Sequence, residues 1–131
     1  MSSQHLLVRL GETVAALPAR GVRRVLRAIK VYPMSGAGEG LLGLSEFAGE
    51  PLVVLDLARL LGVEAPAGPP PTVTVVAWIG PEAEREIVGL AVDEALEVTS
   101  IDGASIAGGE ALVAGVPVRL IDLERLGGEA A

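Results

Sequence analysis

Two aspartates in matching surroundings are the first candidates for chemistry in this chain of 131 residues. Asp56 ends the segment that begins at Pro51, and Asp122 ends the segment that begins at Pro117. Because paired carboxylates carry out glycoside hydrolysis, a small carboxylate-based hydrolase is one hypothesis. Each aspartate also precedes a short run of helical character. Its carboxylate can accept hydrogen bonds from the backbone N–H groups at the start of that run. We favour this capping role, since it explains both residues at once.

The other residues capable of chemistry are scattered. A catalytic triad needs a base and a nucleophile held together, and nothing in the sequence places Ser45 or Ser100 beside His5, the only histidine. We expect His5 to be exposed near the chain end. Asp93 and Glu94 follow an apolar run, which favours a turn over an acid and base pair. With no cysteine and no calcium-loop spacing of carboxylates, the sequence predicts no catalytic residue, no metal and no cofactor.

One glycine pattern resembles a phosphate-binding loop. The residues Gly38–Gly43, GEGLLG, satisfy G-x-G-x-x-G, which requires a helix directly after it. The next residues include Gly49 and Pro51, so a partner-facing loop is favoured over a nucleotide site. Phe47, one of three aromatic residues, lies beside it and is either an interface anchor or a plug for the end of a barrel.

Charge is distributed unevenly along the chain. The formal net charge is −7, which argues against a general nucleic-acid binder. The first 31 residues nevertheless carry +5 and the remainder −12. The basic residues of this first part are Arg9, Arg20, Arg23, Arg24, Arg27 and Lys30. Such a patch on an acidic body predicts either a docking feature or simply a solvated face.

No segment of the sequence favours contact with a membrane. The first residues lack a basic flank before a long apolar run, so they do not resemble a signal peptide. The longest charge-free stretch, Ala65–Pro81, is interrupted by prolines and is a poor spanning helix. We therefore expect no direct membrane insertion. The absence of cysteine is compatible with a reducing, cytoplasmic location.

The chain contains an internal repeat with an offset of 66 positions. Apolar and turn residues dominate it, which indicates a conserved backbone shape and not a reaction. The matching pairs are Gly49 and Gly115, Pro51 and Pro117, Asp56 and Asp122, Leu57 and Leu123, Arg59 and Arg125, and Leu60 and Leu126. A proline-rich connector places the boundary between the two β-modules near residues 63–72.

Short apolar runs separated by turn residues predict an all-β protein of nine or ten strands with little helix. The predicted strands are Leu6–Leu10, Thr13–Pro18, Pro51–Asp56, Thr72–Ile79, Ile87–Val92, Leu96–Ile101 and the repeated strand before Asp122. The segment Arg20–Lys30 differs, because Val22, Val25, Leu26 and Ile29 have helical spacing. Taken alone, that spacing predicts one amphipathic basic helix.

Four blocks, in this order, resemble the CheW-like domain of bacterial chemotaxis coupling proteins. They are LVRLGETVAALPARGVRRVL, LLGLSEFAGEPLVVLDLARLLG, IVGLAVDEALEV and AGVPVRLIDLERL, and they extend from Leu6 to Leu126. The resemblance implies a single domain over residues 5–127, built from two five-stranded SH3-like barrels around a shared core. It also implies a short helical turn near Arg20–Val25 and a strand through Val31, instead of the helix.

The resemblance further implies a non-enzymatic adaptor that joins a CheA-type histidine kinase to the cytoplasmic tip of a chemoreceptor. The implied partner-binding residues are Val22, Arg23, Arg24, Val25, Arg27, Glu46, Phe47, Ala48 and Gly49. Two of them depart from the family pattern, since Arg24 replaces a glutamate and Ala48 replaces an arginine. The positions interpreted as fold-forming are retained, namely Gly43, Gly49, Asp56 and Leu57. A diverged copy with another partner, or a role in surface motility, is therefore the alternative.

Overall fold

The structure is a computed structural model that describes residues 2–34, 40–63 and 71–126. It contains ten strands, β1 (Ser2–Leu10), β2 (Thr13–Pro18), β3 (Val22–Arg27), β4 (Leu41–Phe47), β5 (Glu50–Asp56), β6 (Val73–Ile79), β7 (Glu86–Val92), β8 (Glu94–Asp102), β9 (Glu110–Val113) and β10 (Val116–Leu120). Two short helices follow β5 and β10, α1 (Leu57–Leu61) and α2 (Leu123–Leu126). Single 3₁₀ turns lie at Ala19–Gly21, Glu82–Glu84 and Gly103–Ser105.

The strands form two five-stranded sheets, which confirms the all-β prediction of paired barrels with little helix. The first barrel has the strand order β8-β1-β2-β10-β9, and the second has the order β3-β6-β7-β5-β4. Neighbouring strands are antiparallel except for β2 with β10 and β5 with β7. The strands before and after residues 63–72 contribute to both barrels. Each half of the chain gives two strands to one barrel and three to the other.

The largest apolar cluster lies between the two barrels. In both β1 and β6 alternate apolar side chains belong to this cluster, among them Leu6 and Val8 of β1 and Val73 and Val75 of β6. The intervening residues of these strands belong to the interiors of the barrels, as Leu7 does in the first. Since both faces of the strands are buried, their sequences are almost continuously apolar. Burial of one such side chain contributes about 2 kcal/mol, and this shared core fixes the two barrels as one body.

A short backbone bridge closes the second barrel. The N–H of Tyr32 donates to the carbonyl of Leu44 at 2.8 Å, and the N–H of Leu44 donates to the carbonyl of Tyr32 at 2.9 Å. Gly43 makes this approach possible, because a Cβ at that position would overlap the carbonyl of Tyr32. The retained glycine is therefore fold-forming, as the sequence predicted.

The segment Arg20–Lys30 differs from both predictions made for it. The helical turn is confined to Ala19–Gly21, and β3 begins at Val22 and ends at Arg27 rather than at Val31. The single amphipathic helix is wrong. A register shift between Val22 and Arg24 interrupts the alternation of the strand. Because such a bulge adds one residue to a period of two, the apolar positions acquire a spacing that imitates a helix.

Candidate partner-binding surface

The two repeated aspartates are helix caps, which confirms the favoured interpretation. Oδ1 of Asp56 accepts a hydrogen bond from the N–H of Arg59 at 3.4 Å, at the start of α1. Oδ1 of Asp122 accepts one from the N–H of Glu124 at 3.1 Å, at the start of α2. Oδ2 of Asp122 also lies 3.6 Å from Nε of Arg125. Both carboxylates are thus engaged in structure, since each satisfies a helix N–H group that lacks a partner within the helix.

His5 is buried, with 8% of its surface exposed, so the expectation that it would be exposed is wrong. The reason is that β1 begins at Ser2 and lies between β2 and β8, which places His5 inside a sheet instead of at a loose end. Its Nδ1 lies 3.1 Å from the carbonyl oxygen of Ser3. Oγ of Ser100, one of the two serine candidates, accepts a hydrogen bond from Nε2 of Gln4 at 2.7 Å. This contact lies on the exposed side of strand β8.

The remaining serine candidate also has a structural partner. Oγ of Ser45 donates to the carbonyl of Lys30 at 2.6 Å. Both serine hydroxyls are thus engaged in hydrogen bonds with partners other than His5. Within residues 2–34, 40–63 and 71–126 no group of three or more acidic or histidine side chains could hold a metal ion.

Asp93 and Glu94 form the corner where the chain passes from the second barrel to the first. Oδ2 of Asp93 accepts a hydrogen bond from the N–H of Gly11 at 2.6 Å. Nε of Arg9 lies 3.3 Å from Oε1 of Glu94, and its Nη1 lies 3.8 Å from Asp93. This corner confirms the predicted turn. Arg9 also differs from the other basic residues near the amino terminus, because it has carboxylate partners in the described structure.

The glycine pattern Gly38–Gly43 is not followed by the helix that a phosphate-binding loop needs. Gly38 and the predicted loop around it lie outside the described residues. The described part continues directly into strand β4 at Leu41, where a phosphate site would need the first turn of a helix. Among the described residues no helix exceeds five residues, so none has the length or the apolar character needed to cross a bilayer.

The predicted contact residues Val22–Arg27 lie on β3, an edge strand of the second barrel. Val22 and Val25 are half-buried and pack against the shared core. Arg23, Arg24 and Arg27 are exposed. Neighbouring residues of a regular strand face opposite ways, so the bulge at Arg23 is what exposes two consecutive arginines.

Trp78 packs beside the start of β3 and was not singled out from the sequence. The guanidinium of Arg23 lies 5.8 Å from the centroid of the Trp78 ring, and that of Arg85 lies 4.6 Å from it. Both distances are within the range of a cation–π interaction. The signal available in the sequence was a lone tryptophan next to the last residue of an apolar strand.

The second predicted segment, Glu46–Gly49, is the hairpin between β4 and β5. Ala48 has a φ of +53° and Gly49 a φ of +81°, the two positive values of a type I′ turn. Glu46, Ala48 and Gly49 are exposed. Phe47 is half-buried and packs against the interior of the second barrel, as a plug for the end of that barrel would.

The register of the second barrel brings the two predicted segments to one end. One row of paired residues crosses the sheet from Arg24 through Val76, Gly89 and Val54 to Gly43. Strands β4 and β6 run in the same direction, and β3 runs against them. The hairpin after β4, the end of β6 and the beginning of β3 therefore share an end of the barrel.

At this end a groove of about 750 Å³ separates the barrels. Its lining includes Trp78, Arg85 and Arg20, together with Asp122, which directly precedes α2, and Glu124 of α2. The N–H of Gly80 donates to the carbonyl of Leu123 at 3.0 Å, which ties α2 to the end of β6. Asp56 does not line the groove, so the paired-carboxylate hypothesis is not supported: the repeated aspartates do not face each other across a cleft.

Comparison with known proteins agrees with this architecture. Residues 4–127 match the family model described as CheW-like domain. The fold is similar to that of the scaffolding protein TtCheW from Thermoanaerobacter tengcongensis, with a TM-score of 0.80 and 19% sequence identity, over 96% of this chain and 92% of that chain. No curated protein matches the sequence. Because the family model covers nearly all of the two interlocked barrels, the chain belongs to the CheW-like domain family.

Proposed function

We propose that this chain is a cytoplasmic adaptor in a bacterial chemosensory pathway, which holds a CheA-type histidine kinase and the cytoplasmic tip of a chemoreceptor in a fixed geometry. We further propose that residues 5–127 form its one functional domain, with the boundary of its repeat near residues 63–72. The observation that carries the proposal is the meeting of β3 and the Glu46–Gly49 hairpin at one end of the second barrel, in a member of a scaffold family.

An adaptor of this kind works by position and not by reaction. The shared core makes the two barrels one body, so a partner bound at one surface is held at a defined distance from a partner bound at another. The activity of the kinase then changes because the bound receptor favours one conformation of the kinase over another. The contact residues proposed for this task are Val22, Arg23, Arg24, Val25, Arg27, Glu46, Phe47, Ala48 and Gly49.

A second candidate function rests on the chemistry of two exposed residues. Arg24 presents a positive charge, and Ala48 presents only a methyl group, where the family pattern has a glutamate and an arginine. Exposed surface of altered charge favours a changed partner, since like charges at an interface cost affinity. The alternative is therefore a diverged copy that serves another kinase, another partner or a surface-motility pathway.

Calorimetric titration against the regulatory domain of a CheA-type kinase from the same cell tests both candidates. Saturable binding by the wild-type protein, weakened by Arg24→Glu, supports the adaptor with a changed contact. Absence of binding that is gained by Ala48→Arg supports the diverged copy. If neither the wild-type protein nor the Ala48→Arg variant binds the kinase domain or a receptor tip fragment, the proposed coupling is wrong.

The internal repeat provides matched controls. Ala114 is the counterpart of Ala48, with a φ of +51° in the equivalent turn of the first barrel. Ala114→Arg therefore adds the same side chain to the same backbone outside the proposed surface, and we expect it to leave binding unchanged. Arg59→Glu makes the same change of charge as Arg24→Glu on an exposed position of α1, outside β3 and the hairpin.

A further inference from the structure

Two exposed arginines follow each other at the bulge of β3 and form a surface that we term the basic strip, namely Arg23 and Arg24. Within the described parts of the chain, neither of them has a carboxylate partner. The described ion pairs belong instead to Arg9 and Arg125, the first at the corner between the barrels and the second at α2. The protein as a whole has seven more acidic than basic groups. Among the described residues these two guanidinium groups thus have no ion pair, although carboxylates are in excess in the sequence.

The local geometry holds this strip in place. The bulge in β3 exposes Arg23 and Arg24 as consecutive residues. The guanidinium of Arg23 rests 5.8 Å from the ring of Trp78, which itself belongs to a packed strand. A guanidinium within cation–π distance of an aromatic ring keeps its N–H donors free for a carboxylate, and less side-chain entropy is lost when one binds. The contact with Trp78 therefore positions the donors of Arg23.

Carboxylates suit these donors best among the anionic groups of macromolecules. A large polyanion such as a bilayer or a nucleic acid would also face the remainder of the chain, which carries −12. A short peptide segment interacts mainly with charges within one Debye length, about 8 Å at physiological ionic strength, so the distant acidic residues repel it little. None of the exposed large apolar side chains lies on β3, so the strip also lacks the anchors that peripheral membrane binding uses.

We propose that the basic strip binds an acidic segment of a partner protein, one that presents glutamate or aspartate side chains to Arg23 and Arg24. This inference rests on the proposed function, because it names the chemistry of the partner at the same surface. It explains why an acidic protein has an uncompensated basic strand. It also assigns Trp78 a role as the support of Arg23.

Trp78 is the only tryptophan of the chain, so all tryptophan fluorescence comes from the residue beside Arg23. The test is a fluorescence titration of the full-length protein with a decaglutamate peptide, which has no aromatic residue. We expect a saturable change in emission that weakens as salt is added. Replacement of one strip residue, Arg24→Glu, should weaken binding at least tenfold, which is roughly the effect of losing one charge-assisted hydrogen bond. The matched Arg59→Glu variant should bind as the wild-type protein does.

Other results would overturn the inference. One is the absence of a saturable change, and another is equal weakening by Arg24→Glu and Arg59→Glu. A third is tighter binding to vesicles of phosphatidylserine and phosphatidylcholine in equal parts, or to a DNA duplex, than to the peptide. The titration contains neither kinase nor receptor. If the peptide does not bind but the kinase domain does, only this inference is wrong. If the peptide binds but neither the kinase domain nor the receptor tip does, only the proposed function is wrong.

Discussion

At the scale of single residues, Gly43 is the position where a methyl group does most damage. Its φ is +154°, and an added Cβ would overlap the carbonyl of Tyr32 and approach Cα of Pro33 to 3.0 Å. We expect Gly43→Ala to lower the free energy of unfolding by about 3 kcal/mol, because the bridge that closes the second barrel must open. Gly49→Ala is the control, since its φ is +81° but no atom lies within 4 Å of its Cβ. Its cost should be about 1 kcal/mol, from backbone strain alone. Urea denaturation measures both, and equal losses would refute the steric argument.

Ala48 and Ala114 occupy the same strained position in two hairpins. Each precedes a glycine of positive φ, and each has a positive φ of its own, which L-residues other than asparagine rarely adopt. Ala48→Asn creates the Asn-Gly pair that type I′ turns prefer, so we expect a gain of about 1 kcal/mol in stability. Ala114→Asn should give the same gain, and the double variant their sum, because the hairpins belong to different barrels. Thermal unfolding that shows no gain at either site would contradict the turn assignment.

At the scale of elements, the corner at Asp93 joins β7 of the second barrel to the β1–β2 hairpin of the first. Its carboxylate accepts the N–H of Gly11 at 2.6 Å and lies near Arg9. We expect Asp93→Ala to cost about 2 kcal/mol in urea denaturation, because a hydrogen bond to a charged group is lost and a half-buried N–H is left unpaired. Glu94→Ala should cost less than about 0.5 kcal/mol, since its side chain is 53% exposed and its contact is a surface ion pair. A larger loss at Glu94 would show that the corner depends on charge and not on the backbone contact.

The elements that sequence reasoning predicted well are those whose burial is regular. The predicted strand Thr72–Ile79 and the capped turn after Asp56 agree with the structure because a continuous apolar run of strand length and a capping residue are local signals. β3 was predicted less well, since its bulge changes the spacing of its apolar residues. His5 was misjudged because its burial depends on β8, nearly a hundred residues away in sequence. Of the candidate surface, the arginines were predictable from charge, but the packing of Trp78 beside them was not.

At the scale of the whole molecule, the repeat predicted two equivalent modules but not their exchange of strands. Gly49 and Gly115 mark the same turn in different barrels. A repeat shows which residues are equivalent, whereas strand pairing depends on contacts between distant segments. β1 and β2 lie in the first barrel, while β3 continues into the second. The meeting of β3 with the Glu46–Gly49 hairpin results from this arrangement of strands. The family resemblance therefore identified both segments, but the sequence did not show that they lie at one end of a barrel.

Because each half of the chain completes both barrels, we expect the barrels to unfold together. Leu17 belongs to the core shared between the barrels, whereas Leu52 belongs to the interior of the second barrel only. Either residue changed to alanine should lower stability by about 3 kcal/mol. Hydrogen exchange should show that Leu52→Ala reduces the protection of β1 and β2, in the other barrel, by as much as that of β6 and β7. Loss of protection confined to the second barrel would show that the barrels open separately. A partner could then be coupled through local opening of one barrel, whereas common loss of protection would mean that the adaptor transmits position as a single rigid body.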